Sequence, residues 1–168
     1  MKADKLLKQQ AIGERNFSGA NLSETNLNDV DLSQVNLTKV NFRGTSLRGA
    51  KLSGSELKDA NLVNADLSYA NLSDSNLEGV NLSGATLRGA DLSGTNLKGA
   101  NLKNADLSQA NLTDSNLSEA ELKGSKIKGA IGLDVHGNKN GRSSSRARTE
   151  ACLTLLFNHR SGVGAWVQ

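Results

Sequence analysis

Residues 80–109 read VNLSGATLRGADLSGTNLKGANLKNADLSQ, and a leucine returns at every fifth position: Leu82, Leu87, Leu92, Leu97, Leu102 and Leu107. Followed outward in both directions, the register holds without a gap from Phe17 to Ile127. That makes 23 consecutive centres, of which 20 are Leu and the others Phe17, Phe42 and Ile127. Two residues before the centre stands Ala in 11 repeats and Val, Ser or Thr in the others, with Arg15 the lone exception. One residue before it is Asn in 13 repeats and Asp in four; two residues after it is Gly in 11. The consensus is Ala-Asn-Leu-Ser-Gly.

A period of five excludes straight elements. Five residues of α-helix advance about 500°, so successive leucines would spiral around the axis. On a flat strand side chains alternate with period two, and an odd spacing sends successive leucines to opposite faces. The chain must turn once per repeat, and the Gly, Asn and Asp columns supply residues that tolerate turns and positive φ. The centres and the small residues then point inward together, as a Leu-plus-Ala core with Phe17, Phe42, Leu72 and Leu92 among its members.

Stretches such as Ala20-Asn21-Leu22-Ser23-Glu24 and Ala90-Asp91-Leu92-Ser93-Gly94 carry a resemblance to the pentapeptide repeat family, whose motif is A-(D/N)-L-x-x; it covers about residues 15–130. The resemblance implies an all-β fold, a right-handed quadrilateral β-helix with four pentapeptides per coil. About six coils follow, a rod roughly 27 Å long at an inter-strand spacing of ~4.8 Å. Each buried central Leu contributes on the order of 1.5–3 kcal/mol before conformational entropy.

A solenoid's ends expose core and unpaired edges, so both need covering. Residues 1–14 are expected to form an N-terminal cap, with a short helix over 3–10 laying Leu6 and Leu7 on the first coil. Leu7 and Ile12 keep the phase of the centres. Residues 15–131 form the repeat domain. Residues 132–168 differ in composition: 136–149 (HGNKNGRSSSRART) read as a polar linker, and 151–160 (ACLTLLFNHR) as a short apolar helix. This tail holds the only Cys (Cys152), the only Trp (Trp166) and both His residues (His136 and His159). Three readings of it stay open: a C-terminal cap or dimerisation segment, a segment without order, and sequence foreign to the protein.

Composition and motifs argue against catalysis. The repeats hold no His and no Cys, which removes most nucleophilic and metal-site designs. The acids Asp66 and Asp106, and likewise Asp74 and Asp114, fall on one face two coils apart if a coil is 20 residues. Solvated acids on a convex rod lack the enclosure that shifts pKa values. No catalytic residue, metal or cofactor is expected. The N-terminus has no apolar run of signal-peptide kind and nothing approaches 18 apolar residues, so a cytoplasmic protein is expected. A single cysteine leaves no internal disulfide framework.

Function is then expected on the outer faces. Stacking by 20 residues places Arg48, Arg88 and Lys128 in one column and Arg43, Lys103 and Lys123 in the neighbouring one, a candidate basic stripe. A third face carries Ser33, Ser53, Ser73, Ser93 and Thr113, with Asp31, Asp74, Asp91 and Asp114 nearby. The leading expectation is a non-catalytic scaffold or binding module for another protein, with a homodimer through the C-terminal end as a further option. The family also includes DNA-mimicking proteins that bind gyrase and confer quinolone resistance. Residues 15–131 depart from that type, holding 12 basic and 13 acidic residues and no loop insertions. A purely structural rod without a strong partner is the third expectation; neither membrane nor direct nucleic-acid binding is expected.

Overall fold

The computed structural model describes residues 2–133. The expectations for the linker, the apolar stretch, Cys152, His136, His159 and Trp166 lie outside the described residues.

Each pentapeptide makes one side of a coil and one corner. The corner is a turn in which the N–H three residues after a centre donates to that centre's carbonyl, as Ala90 does to Leu87 (3.1 Å) and Ala100 to Leu97 (3.0 Å). The third residue of the turn has positive φ, the requirement of a type II turn. Where it is not glycine it is mostly Asp, Asn, Gln or Glu, such as Asp74 (φ 56°) and Asn104 (φ 58°). Each such L-residue costs on the order of 1–2 kcal/mol in strain, and the ladder on either side holds it there.

The ladder has a register of 20. Parallel bridges join residue i to residue i+20 throughout, from Asn16–Asn36 to Asn111–Ile131. Four pentapeptides therefore close one turn of the coil. On each side, two N–H groups point to the next coil and one to the previous coil. Leu92 donates to the Asn111 carbonyl (2.7 Å), Gly94 to Thr113 (2.9 Å), and Asp91 back to Ala70 (3.0 Å). A side is so short that its pairing amounts to a single bridge, so the β-structure consists of stacked bridges and no long strands.

The core is the stacked centres with their small companions. Phe42, Leu72 and Leu92 are fully buried and Phe17 nearly so. Ser and Thr in the small column keep their hydroxyls satisfied, donating to a centre's carbonyl: Ser55 to Leu52 (2.6 Å), Thr95 to Leu92 (2.6 Å) and Thr45 to Leu22 (2.7 Å). A buried hydroxyl with a partner escapes the desolvation penalty of an orphaned one, so the column accepts Ala, Ser and Thr alike.

Helix α1 (Ala3–Ala11) precedes the first coil. Leu6 is fully buried and belongs to the core cluster. Leu7 is 39 % exposed and Ile12 85 % exposed, so the phase these two share with the centres has no structural consequence. A helix advances 100° per residue, and only one of two successive leucines can face the coil. Glu14 then accepts from the backbone N–H groups of Arg15 (2.9 Å) and Asn16 (2.7 Å), and the Gln10 side chain donates to the Asp31 carbonyl. The Arg15 guanidinium donates to the carbonyls of Gln10 and Glu14, both at 3.0 Å, tying the last turn of α1 to the segment that follows it.

Candidate interaction surface

The Asn/Asp column decides the shape of the outer faces. Its side-chain oxygen accepts the backbone N–H two residues on, as Asn71 does from Ser73 (2.9 Å) and Asp91 from Ser93 (3.0 Å). This N–H has no rung partner, and the Asx arrangement satisfies it locally. Asn adds a second bond that Asp lacks the donor for: its amide reaches the coil before, Asn41 to Asn21 and Asn96 to Asn76, both at 3.1 Å. The sides are thus held flat and rigid from outside as well as from the core.

Corners show a feature that sequence reading missed. On the corner after Leu22, Glu24, Gly44, Asn64, Gly84, Asn104 and Gly124 stack one above the next, and a side chain alternates with a glycine. Such a side chain lies over the glycine of the next coil. A Cβ built on Gly94 would sit 2.3 Å from an Asp74 carboxylate oxygen, and one on Gly89 2.8 Å from the Tyr69 ring. Gly99, whose neighbour in the stack is Gly79, has nothing within 4 Å. The signal was available in the sequence as a 40-residue alternation. Tyr69, 58 % exposed, is the aromatic of these outer positions.

The six basic residues singled out lie on adjoining sides. Lys103 and Lys123 occupy successive coils, while Arg48, Arg88 and Lys128 follow one another at intervals of two coils. Arg48 is paired with Asp66 at 3.3 Å and Lys103 with Glu121 at 2.6 Å. No ion pair involves Arg43, Arg88, Lys123 or Lys128 among the described residues, and these four are exposed. The stripe is therefore interrupted by neutralised positions.

The next side round, adjoining that of Arg48, Arg88 and Lys128 and opposite that of Arg43, Lys103 and Lys123, is acidic. Asp31, Asp74, Asp91 and Asp114 line it, and the lysine there, Lys51, sits 4.0 Å from Asp31. Three carboxyls on the rod are held below the ordinary Asp range. For Asp31 the cause is the backbone N–H of Ser33, then its hydroxyl. For Asp66, burial pushes upward but hydrogen bonds from Ser68 and Arg48 outweigh it. For Asp106 the Ser108 hydroxyl and N–H act first, with Lys126 and Arg88 adding a smaller pull. These are the turn-closing acids, so the shifts report the fold rather than a tuned proton-transfer pair. Asp66 and Asp106 stand two coils apart with Thr86 between them.

Enclosure is slight. A crevice of about 700 Å³ opens between α1 and the first coil, lined by residues that include Leu7, Gln10, Arg15 and Asp31. It contains no pairing of a nucleophile with a base. No group of His, Cys, Asp and Glu suited to a metal ion occurs among the described residues, and no helix there is long and apolar enough to cross a membrane.

Comparison with known proteins places this geometry. A solved structure of the pentapeptide repeat protein Rfr23 from the cyanobacterium Cyanothece 51142 is 31% identical, with 76% of this chain and 97% of that chain covered and a TM-score of 0.58. A trypsin-treated form of QnrB1, described as a plasmid-mediated fluoroquinolone resistance protein, is 26% identical over 70% of this chain and 68% of its own, with a TM-score of 0.46. Among curated proteins none matches significantly. The pentapeptide repeat profile matches residues 16–54, 55–94 and 95–131. The family match and the Rfr23 structure imply a right-handed quadrilateral β-helix, a fold that generally serves non-catalytic structural and interaction roles. With well over half its length matched, and with the 20-residue register of its bridges, the chain belongs to the pentapeptide repeat family.

Proposed function

We propose that this protein is a non-catalytic, cytoplasmic binding rod whose lateral faces engage another protein. The observation that carries the reading is the two-sided charge of a rigid surface. Arg43, Arg88, Lys123 and Lys128 stand exposed and without ion pairs among the described residues; the side bearing Asp31, Asp74, Asp91 and Asp114 adjoins that of Arg88 and Lys128 and lies opposite that of Arg43 and Lys123. Arg48 and Lys103 complete the stripe, and their carboxylate partners can exchange for those of a ligand. A rod built from about six coils spends little ordering entropy on binding, because its side chains stand on fixed backbone. Complementary charge then sets orientation and association rate more than affinity, and an acidic protein surface is the fitting partner. Residues 1–14 act as the N-terminal cap, 15–131 as the binding rod and 132–168 as an appended tail.

The test is affinity capture from native cell lysate with the intact chain and with an Arg43→Glu/Arg88→Glu variant. The reading expects a specific partner that the variant loses, with binding weakened by salt. Capture of no partner, or a partner indifferent to the two substitutions, contradicts it. Inhibition of gyrase supercoiling by the intact chain would instead favour the DNA-mimic reading, which the near balance of 12 basic and 13 acidic residues over 15–131 does not support.

A further inference from the structure

The crevice between α1 and the first coil joins two opposite charges to apolar helix surface. From α1 come Leu7 and Ala11, four residues apart and so on one face of the helix. Leu7 is 39 % exposed, although Leu6 beside it is fully buried. From the first coil come Asp31 and Ser33, and Arg15 belongs to the segment that links helix to rod. The Gln10 side chain crosses from α1 to the Asp31 carbonyl and ties the two walls together. The space of about 700 Å³ is within the range of small-molecule sites.

Both charges are oriented by the chain. The Arg15 guanidinium gives Nη1 to the carbonyls of Gln10 and Glu14, and its fork has further N–H donors. The Asp31 Oδ1 accepts from the Ser33 N–H at 3.0 Å. That N–H first, and the Ser33 hydroxyl next, keep the carboxyl below the ordinary Asp range and ionised at neutral pH. Among the described residues its ion pair is with Lys51, long at 4.0 Å and exposed, and not with Arg15. A ligand ammonium can replace so weak a partner. We propose that the crevice is a binding site for a zwitterionic di- or tripeptide with an apolar side chain. Its carboxylate takes the Arg15 guanidinium, its ammonium takes Asp31, and its side chain covers Leu7 and Ala11. The two charges select a zwitterion, because an anion at Arg15 meets Asp31 and a cation at Asp31 meets Arg15. The volume favours a short peptide over a single amino acid, which would leave much of the space to water.

The site goes beyond the lateral faces and stands or falls without them. The tripeptide Ala-Leu-Ala, its N-acetyl form and its C-terminal amide are titrated into the isotope-labelled full chain, followed by the amide signals in heteronuclear NMR spectra. The free peptide is expected to shift Leu7, Ala11, Ser33 and Gln34 saturably. Each capped form should bind about tenfold more weakly, the loss of one charged hydrogen-bonded partner. Asp31→Asn keeps the oxygen that closes the turn. It should weaken the free peptide and abolish the effect of acetylation, while the effect of amidation remains. Arg43→Glu/Arg88→Glu should leave all three affinities unchanged, whatever that variant does to lateral binding. Absence of a saturable shift, shifts confined to other residues, or equal binding of free and capped peptides overturns the proposal. So does an Asp31→Asn variant that still distinguishes the acetylated peptide.

Discussion

The two ends of the rod meet the same problem, and the described residues answer it only at the front. At the front, α1 inserts Leu6 into the core, Glu14 accepts two backbone N–H groups, and Gln10 donates to the exposed carbonyl of Asp31. At the far end Leu117 and Ile127 are half-covered, and the forward N–H groups of the last coil find no acceptor among the described residues. Interior coils are nearly interchangeable, because each receives its missing rung from its neighbour. Among the described residues the ends differ in what stands in for that rung: a helix and two polar side chains, Glu14 and Gln10, in one case, nothing in the other.

Substitution in the core should break the equivalence of interior and edge most visibly. Leu72→Asp buries an unpaired charge between complete coils and should cost more than about 4 kcal/mol, enough to abolish cooperative folding. Leu117→Asp at the half-covered end should leave a folded rod, detectable as a retained urea transition. Next comes α1. Leu6→Ala should lose roughly 2–4 kcal/mol, and Glu14→Ala about 1 kcal/mol, both read from urea denaturation. Equal stability of Leu6→Ala and wild type would mean that α1 only rests against the rod.

Corners offer a finer contrast. Gly94→Ala must accept both positive φ and a clash with Asp74, and should cost about 2 kcal/mol. Gly99→Ala meets only the φ penalty and should cost about 1 kcal/mol. The smallest effect is in acid. Carboxyls held below their usual range contribute stability above about pH 4, lost as pH falls through the lower folded value. Replacing Asp31, Asp66 and Asp106 by Asn keeps the oxygen that closes each turn and removes the titration. The triple variant should lose less Tm than wild type between pH 7 and pH 3, by a few °C on the order expected for such shifts. An identical loss would mean that these acids do not feel the fold.

The centre column was legible because burial is a strict demand: Leu at every fifth place has no other use. The family resemblance supplied the four sides, and the bridges from Asn16–Asn36 onward carry the same number. The Asn column was read as turn tolerance alone. Its capping of N–H groups and its amide ladder depend on the register between coils, which spacing along one repeat does not reveal. Ion pairing of Arg48 and Lys103 escaped for the same reason, since their partners Asp66 and Glu121 lie 18 residues on, on the same side of the next coil. Leu7 shows the converse error, a period carried one helix too far.

Residue-resolved amide hydrogen exchange by NMR tests the account most directly. Protection is expected to be high at the centres from Leu22 to Leu112, each of whose N–H groups donates to the following coil, and to fall sharply at Leu117, Leu122 and Ile127. A 20-residue register whose acceptors among the described residues end at Ile131 predicts that step. Protection at those three residues equal to the interior would contradict it, as would protection at Leu22 through Leu37 no better than at the far end.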